Sequence, residues 1–176
     1  MQELIFQPIE INGMKLKNRI GMAPFLNNPV GEEGRVSDLT IRWFETRAKG
    51  GAGFVMTGAI NPTTFGREVI LQTMGRLPGL SLYDDKFIPG YTRLAETIHR
   101  HGTKIGVQIA IIGPMGGLGL SSPPYPDDIH PKDATGILMG RRLSVRELTA
   151  AELEKLEDDI ALAAGRAKAA GIDCVK

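Results

Sequence analysis

Gln108 is the residue whose type and setting most invite chemistry. It stands between Val107 and Ile109 in the apolar run 104–110, and a carboxamide set among apolar neighbours needs partners for both its donor and its acceptor. Two further apolar runs end in compact residues, Ala23-Pro24 in one and Ala59 in the other. A proline stops a ladder because it has no N–H to give, and an alanine is, taken alone, a small packing residue. The titratable candidates are weaker. His99 and His101 close a predicted helix, where a cation favours the dipole, and His130 stands in a Pro/Asp stretch. Asp127-Asp128-Ile129-His130 reads as a solvated turn, so no metal is expected. Gly116-Gly117-Leu118-Gly119 lacks the strand-to-helix junction that a phosphate loop needs. Lys104 opens a strand, Lys176 stands at the last position, and no strand end carries a Schiff-base lysine, which disfavours a class I aldolase.

The elements that position these residues can be read from pattern. Residues 4–12 and 14–20 alternate around Asn12-Gly13, a dipeptide suited to a tight hairpin turn, with Ile9, Ile11 and Leu16 on one face. Arg19 to Pro24 reads as a short buried strand, followed by a loop over 25–36. A helix is expected over about 37–49, with Trp43, Phe44 and Ala48 inward and Arg42, Glu45 and Lys49 outward. A strand at 53–60 leads into a loop from Asn61 to Asp84. A second helix over about 85–101 carries Ile88, Tyr91, Leu94, Ala95 and Ile98 on one stripe, and the Gln108 strand follows at 104–110. Residues 111–148 form a long Pro/Gly-rich loop of the kind that is usually functional. Thr149-Ala150-Ala151-Glu152 is a capping-box pattern. It opens a helix with Leu153, Leu156, Ile160, Ala163, Ala164 and Ala167 as its inner stripe. A fourth strand begins at Ile172.

Three times a helical pattern with a basic last turn runs into glycine and out into an apolar strand, at Gly50-Gly51, Gly102 and Gly171. Glycine at such a junction supplies a positive φ, and the alternation of helices with near-continuous apolar strands means a parallel sheet. The order is a hairpin followed by β, α, β, α, β, α, β, which is a (β/α) barrel or an open α/β sheet. Four strands cannot close a barrel. Either more polypeptide follows Lys176 or copies of the chain complete one another.

Bulk properties exclude several classes. The 176 residues suffice for one domain, and 42% hydrophobic with 23% charged residues is ordinary for a soluble globular protein. A net charge of +1 gives no electrostatic stripe for nucleic acid and no polybasic membrane anchor. The single Cys174 excludes an internal disulfide framework and a Cys-rich metal site. No signal peptide or membrane-spanning run is visible, so the expectation is a cytoplasmic protein.

Several segments stand in a known order: Leu4-Ile5-Phe6-Gln7-Pro8-Ile9, Lys17-Asn18-Arg19-Ile20-Gly21-Met22-Ala23-Pro24, Arg47-Ala48-Lys49-Gly50-Gly51-Ala52-Gly53-Phe54-Val55-Met56-Thr57-Gly58, Val107-Gln108-Ile109 and Arg146-Glu147-Leu148-Thr149. The set resembles the old yellow enzyme family of FMN-dependent NAD(P)H:flavin oxidoreductases and ene-reductases. Gly31 to Asp38 is similar to the members akin to 2,4-dienoyl-CoA reductase. The resemblance implies a TIM (β/α)8 barrel, an α/β fold. Residues 1–176 supply its N-terminal half: a hairpin cap at 1–18, about strands 1–4 with helices 1–3, and the long loop 111–148.

The resemblance further implies that Ala23, Pro24 and Phe25 contact the flavin edge through their backbone. Ala59 is then the small residue under the ring, and the Gln108 amide bonds the flavin pyrimidine. All lie at C-terminal strand ends, where barrel enzymes place their sites. Hydride would pass from NAD(P)H through FMN to an activated C=C bond of a small enone or enoyl substrate.

Two departures stand out: Leu26 replaces a Thr or Cys that tunes the flavin, and Ala110-Ile111-Ile112 replaces a histidine after the glutamine. The family's substrate-anchoring His/His or His/Asn pair and proton-donating Tyr are expected beyond Lys176, as are the flavin-binding arginine of strand five, the phosphate site and any iron–sulfur domain. A competing expectation is a half-barrel unit for assembly, with no activity of its own.

Overall fold

The computed structural model describes residues 3–25, 29–64, 79–111, 137–138, 141–142 and 149–176. A 3-10 turn at Leu4–Phe6 precedes a short antiparallel pair, β1 (Ile9–Ile11) and β2 (Met14–Leu16), in register Ile9 opposite Leu16. Asn12 and Gly13 turn it with φ of 47° and 83°, the positive angles a tight hairpin requires. Leu16 is buried, but Ile11 on the same face is exposed, so that face is only half covered.

The main sheet holds β3 (Gly21–Met22), β4 (Phe54–Asn61), β5 (Leu80–Ser81), β6 (Lys104–Ile109) and β9 (Cys174–Val175). Its order is β3-β4-β6-β9, and every pairing is parallel. β5 joins the upper part of β4, at Ile60 and Asn61. A minimal antiparallel pair, β7 (Ile137–Leu138) and β8 (Arg141–Arg142), lies within the 111–148 stretch. Strand order equal to chain order, with a helix between successive strands, is part of a (β/α)8 barrel.

The helices are α1 (Asp38–Lys49), α2 (Ile88–His99) and α3 (Ala150–Ala169). Ser37 caps α1 by a reciprocal box with Thr40, and Thr149 caps α3 the same way with Glu152. Each cap satisfies amide donors that the first turn leaves orphaned. The three helix-to-strand junctions place Gly51, Gly102 and Gly171 at φ of 98°, 64° and 81°, as the sequence pattern requires. Val55, Ile60, Ile105 and Val107 of the sheet pack against Phe44, Tyr91, Leu94 and Ile98 of the helices, all fully buried.

The structure corrects four expectations. The first strand is two residues long rather than six, because Ala23 and Pro24 leave the sheet and β5 takes the place beside upper β4. The 61–84 loop therefore contains a strand. Glu45, expected outward, is half-buried against His101. The apolar stripe of α3 is buried only in its second half, at Ala163 and Ala167, whereas Leu153 is exposed. Its 20 residues span about 30 Å against about 18 Å for the 12 of α1 or α2. Among the described residues, no helix is long and apolar enough to cross a membrane.

Candidate functional site

Side chains alternate along β6, so Ile105 and Val107 enter the helix layer while Gly106 and Gln108 face the other way. A Cβ at Gly106 would meet Cys174 Sγ, Phe54 and Met56, which marks this face as the inside of the barrel. Gln108 thus stands on the inner wall, at the C-terminal end of its strand.

Between β4 and β6 the register is Met56 opposite Gly106 and Thr57 opposite Val107, then Ala59 opposite Gln108. One residue of β4, Gly58, has no counterpart. This β-bulge re-aims everything after it: Ala59 joins Gln108 on the inner face, and Ile60 returns to the helix layer opposite Ile109. The sequence signal was present, since a lone glycine inside a strand pattern suggests a bulge.

The structure therefore makes neighbours of two of the five residues singled out above. Ala59 is buried and Gln108 half-buried. Among the described residues the Gln108 amide has no hydrogen-bond partner. Ala23, Pro24 and Phe25 directly follow β3, which pairs with β4 at Phe54 and Val55. The Phe25 ring turns to α1 and stacks on Trp43 at 6.5 Å between centroids, with Arg47 over the Trp43 ring at 3.4 Å. Only its backbone is then left for an inner-face role. Leu26, His130, the 116–119 glycine run and residues 146–148 lie outside the described residues.

Two polar residues that sequence reasoning passed over, Asn61 and Ser81, close the upper end of β4 and β5. Both are fully buried. Asn61 donates its Nδ2 to the Leu80 carbonyl at 3.3 Å, while Asn61 Oδ1 and Ser81 Oγ have no partner among the described residues. Ser81 also leaves no room for a side chain at Gly34, a residue held at φ 82°.

At the opposite end of the sheet the polar groups are paired. Asp173 accepts from the Ile105 amide at 2.8 Å, Lys104 Nζ at 2.7 Å and His99 Nε2 at 2.6 Å. Burial pushes its carboxyl up, and the Ile105 amide, Lys104 and His99 together pull it further down, to a net position below its ordinary 3.8. His101 meets Glu45 at 3.1 Å. Lys17 reaches from the hairpin to the His101 carbonyl and Thr103 Oγ1, and Asn18 donates to the Gly51 carbonyl. The hairpin thus caps the N-terminal end, and two of the three histidines serve that scaffold. Burial, and then the Asp173 charge, push the Cys174 thiol up, away from the thiolate form.

What the inner face offers at this point is a single amide edge beside a small residue. A small, buried alanine stands beside a carboxamide, and one donor and one acceptor lie side by side at Gln108. The donor set fits the pyrimidine edge of a flavin, which presents an N–H next to a carbonyl.

The profile of the NADH:flavin oxidoreductase / NADH oxidase family matches residues 4–176. The chain is 32% identical over 174 residues to a metal reductase of Desulforamulus reducens, covering 98% of this chain and 24% of that protein. It is 30% identical over 176 residues to an NADPH dehydrogenase of Listeria monocytogenes, covering 98% and 47% respectively. The old yellow enzyme homologue from Zymomonas mobilis superimposes with a TM-score of 0.72 at 23% identity, over 97% of this chain and 47% of that one. The chain thus spans between a quarter and a half of the length of these relatives.

Proposed function

The chain belongs to the NADH:flavin oxidoreductase / NADH oxidase family, and from that premise we propose that it forms the flavin seat of an FMN-dependent oxidoreductase. In the whole protein NAD(P)H is the reductant and the electron acceptor is an activated C=C bond in a small enone or enoyl compound, an ene-reductase reaction. The cytoplasm is the compartment in which that reductant is supplied. The observation that carries the reading is the bulge-made pairing of Ala59 with Gln108, whose amide no described group engages.

Gln108 would hold the pyrimidine edge, Ala59 would lie under the ring system, and the backbone of Ala23, Pro24 and Phe25 would meet its rim. When bound, the flavin supplies two-electron hydride chemistry that no amino-acid side chain can provide. The chain's own residues orient. Gln108 is neutral at every working pH, so its grip does not titrate. The missing side-chain bulk at Ala59 admits a planar group against the sheet, and the apolar inner wall of Phe54 and Met56 excludes water below it.

A second reading concerns residues 1–176 on their own. In the described sheet β3 and β9 each have one neighbour, and an unpaired edge seeks another strand. By itself the segment is then an assembly unit, completed by the rest of a barrel or by another copy, and without activity.

One experiment addresses both. FMN is titrated against residues 1–176 and against the protein in which a complete barrel carries this segment, with flavin fluorescence as readout and NADPH-dependent reduction of a cyclic enone as second assay. Saturable quenching and enone reduction only in the complete barrel are expected. Gln108→Leu should weaken FMN about tenfold, the scale of a lost ligand hydrogen bond left unpaired. A complete barrel that takes up no FMN would overturn the reading.

A further inference from the structure

Gly79 lies on no strand and 20 positions from Ala59, yet its backbone sits against the Ala59 peptide. A Cβ placed on Gly79 runs into the Ala59 carbonyl oxygen and also comes within 3.5 Å of its carbon. The φ of Gly79 is outside the left-handed region, so backbone conformation does not demand glycine there. Space does. The obstacle is main chain, which cannot swing aside as a side-chain tip can. Any larger residue at 79 must therefore displace the peptide that carries Ala59.

A second contact keeps the two segments together. Gly79 stands one position ahead of the ladder in which Leu80 pairs with Ile60 and Ser81 with Asn61. The fully buried Asn61 donates to the Leu80 carbonyl at 3.3 Å, and its Nδ2 is 3.9 Å from where the Gly79 Cβ would be. The bulge loosens β4 at Gly58, just before Ala59. On one side Ala59 is then fixed by the ladder to Gln108, and on the other by the backbone at Gly79, with Asn61 as the clamp.

Building on the flavin reading above, we propose that Gly79 is a positioning residue of the cofactor seat: its side-chain-free contact sets the Ala59 peptide relative to Gln108, and Asn61 holds that contact in place. Neither residue touches the flavin in this scheme. Both act through the position of Ala59.

The test compares Gly79→Ala with Gly21→Ala in the complete-barrel protein. Gly21 is a strand glycine whose added Cβ would meet only ordinary contacts, the nearest Phe54 at 3.7 Å. FMN dissociation constants, the visible absorbance band of bound FMN and the melting temperature of the flavin-free protein are measured. Gly79→Ala should raise the dissociation constant about tenfold or more and move the band toward that of free FMN, because sub-ångström misplacement of a seat is felt directly. Its flavin-free melting temperature should also lie below that of Gly21→Ala, because the added Cβ meets main chain, so the affinity and spectrum of the folded variant are the deciding readouts.

Unchanged affinity and spectrum in Gly79→Ala would overturn the proposal. Should that variant fail to fold, Asn61→Ala carries the test. It removes the clamp alone and should weaken FMN about threefold with a shifted band, and an unaltered band and affinity would sink the idea. Gln108→Leu separates the two levels. If it weakens FMN while Gly79→Ala does not, only the positioning role falls; if it too binds normally, the flavin seat itself is elsewhere.

Discussion

At the N-terminal end of the sheet one carboxylate, Asp173, takes three hydrogen bonds, while at the C-terminal end the Gln108 amide, Asn61 Oδ1 and Ser81 Oγ take none from the described residues. The strands that join these ends are the same. What differs is how each end uses its polar groups. Lys17, Asn18, His99, His101 and Thr103 all bond across elements and tie the hairpin, helix ends and strand starts into one unit. An end built this way resists deformation and has little left for a ligand. The other end keeps donors and acceptors that no described residue engages, the arrangement expected where barrels place their chemistry.

That contrast can be broken from either side. The largest effect should come from Asp173→Ala, which strips partners from Lys104, His99 and the Ile105 amide together. A loss of about 2–3 kcal/mol in unfolding free energy is expected from denaturant melts, with FMN affinity of the complete barrel unchanged. A matching loss of affinity would show that the ends are not independent.

The mirror experiment is Gln108→Leu, expected to weaken FMN about tenfold yet to move stability by less than about 0.5 kcal/mol, since a half-buried amide without partners among the described residues gives up nothing in the fold. A large drop in melting temperature would make Gln108 part of the scaffold.

Acid titration sharpens the picture further. The Asp173 pKa is lower in the folded than in the unfolded chain, so its contribution is complete above the ordinary 3.8 and lost as pH falls through the depressed folded value. Melting curves of the wild type should fall more steeply than those of Asp173→Asn below about pH 4. Parallel curves would remove the ion-pair account. The smallest expected effect is Lys17→Ala, at about 1 kcal/mol, because its ammonium is exposed and only its two hairpin-to-core bonds are lost.

Much of the scaffold was legible in sequence because it repeats. The helix–glycine–strand junctions gave the parallel sheet, and the 3.6-residue stripe of Tyr91, Leu94, Ala95 and Ile98 gave the buried face of α2. Asn12-Gly13 gave the hairpin. The α3 stripe misled in its first half because periodicity states which face is apolar and not whether a sheet lies beneath it. β5 was missed because two residues carry no period at all.

The candidate site was legible only through the order of motifs in the chain. Nothing in Ala59 or Gln108 alone announces that they are neighbours, since 49 positions separate them and the bulge decides which residue of β4 meets the glutamine. Ser37 with Thr40 escaped notice as a capping box because the pattern sought has Glu or Gln at the third helical position. Gly79 escaped because a close approach of two backbones leaves no trace in composition.

The extra residue at Gly58 has a consequence for how such a site can change over evolutionary time. Substitution alters what each position carries and leaves this pairing in place. Deleting Gly58 would only straighten the strand, because Ala59 would then follow Thr57 in regular alternation, still opposite Gln108, with Ile60 still in the helix layer. Drawing Gly58 into regular pairing opposite Gln108 would instead swing Ala59 into the helix layer and send Ile60 to the inner wall. What faces that wall is thus decided by whether one residue of β4 is left out of the ladder, and a slip of one register would trade a methyl for a branched side chain there.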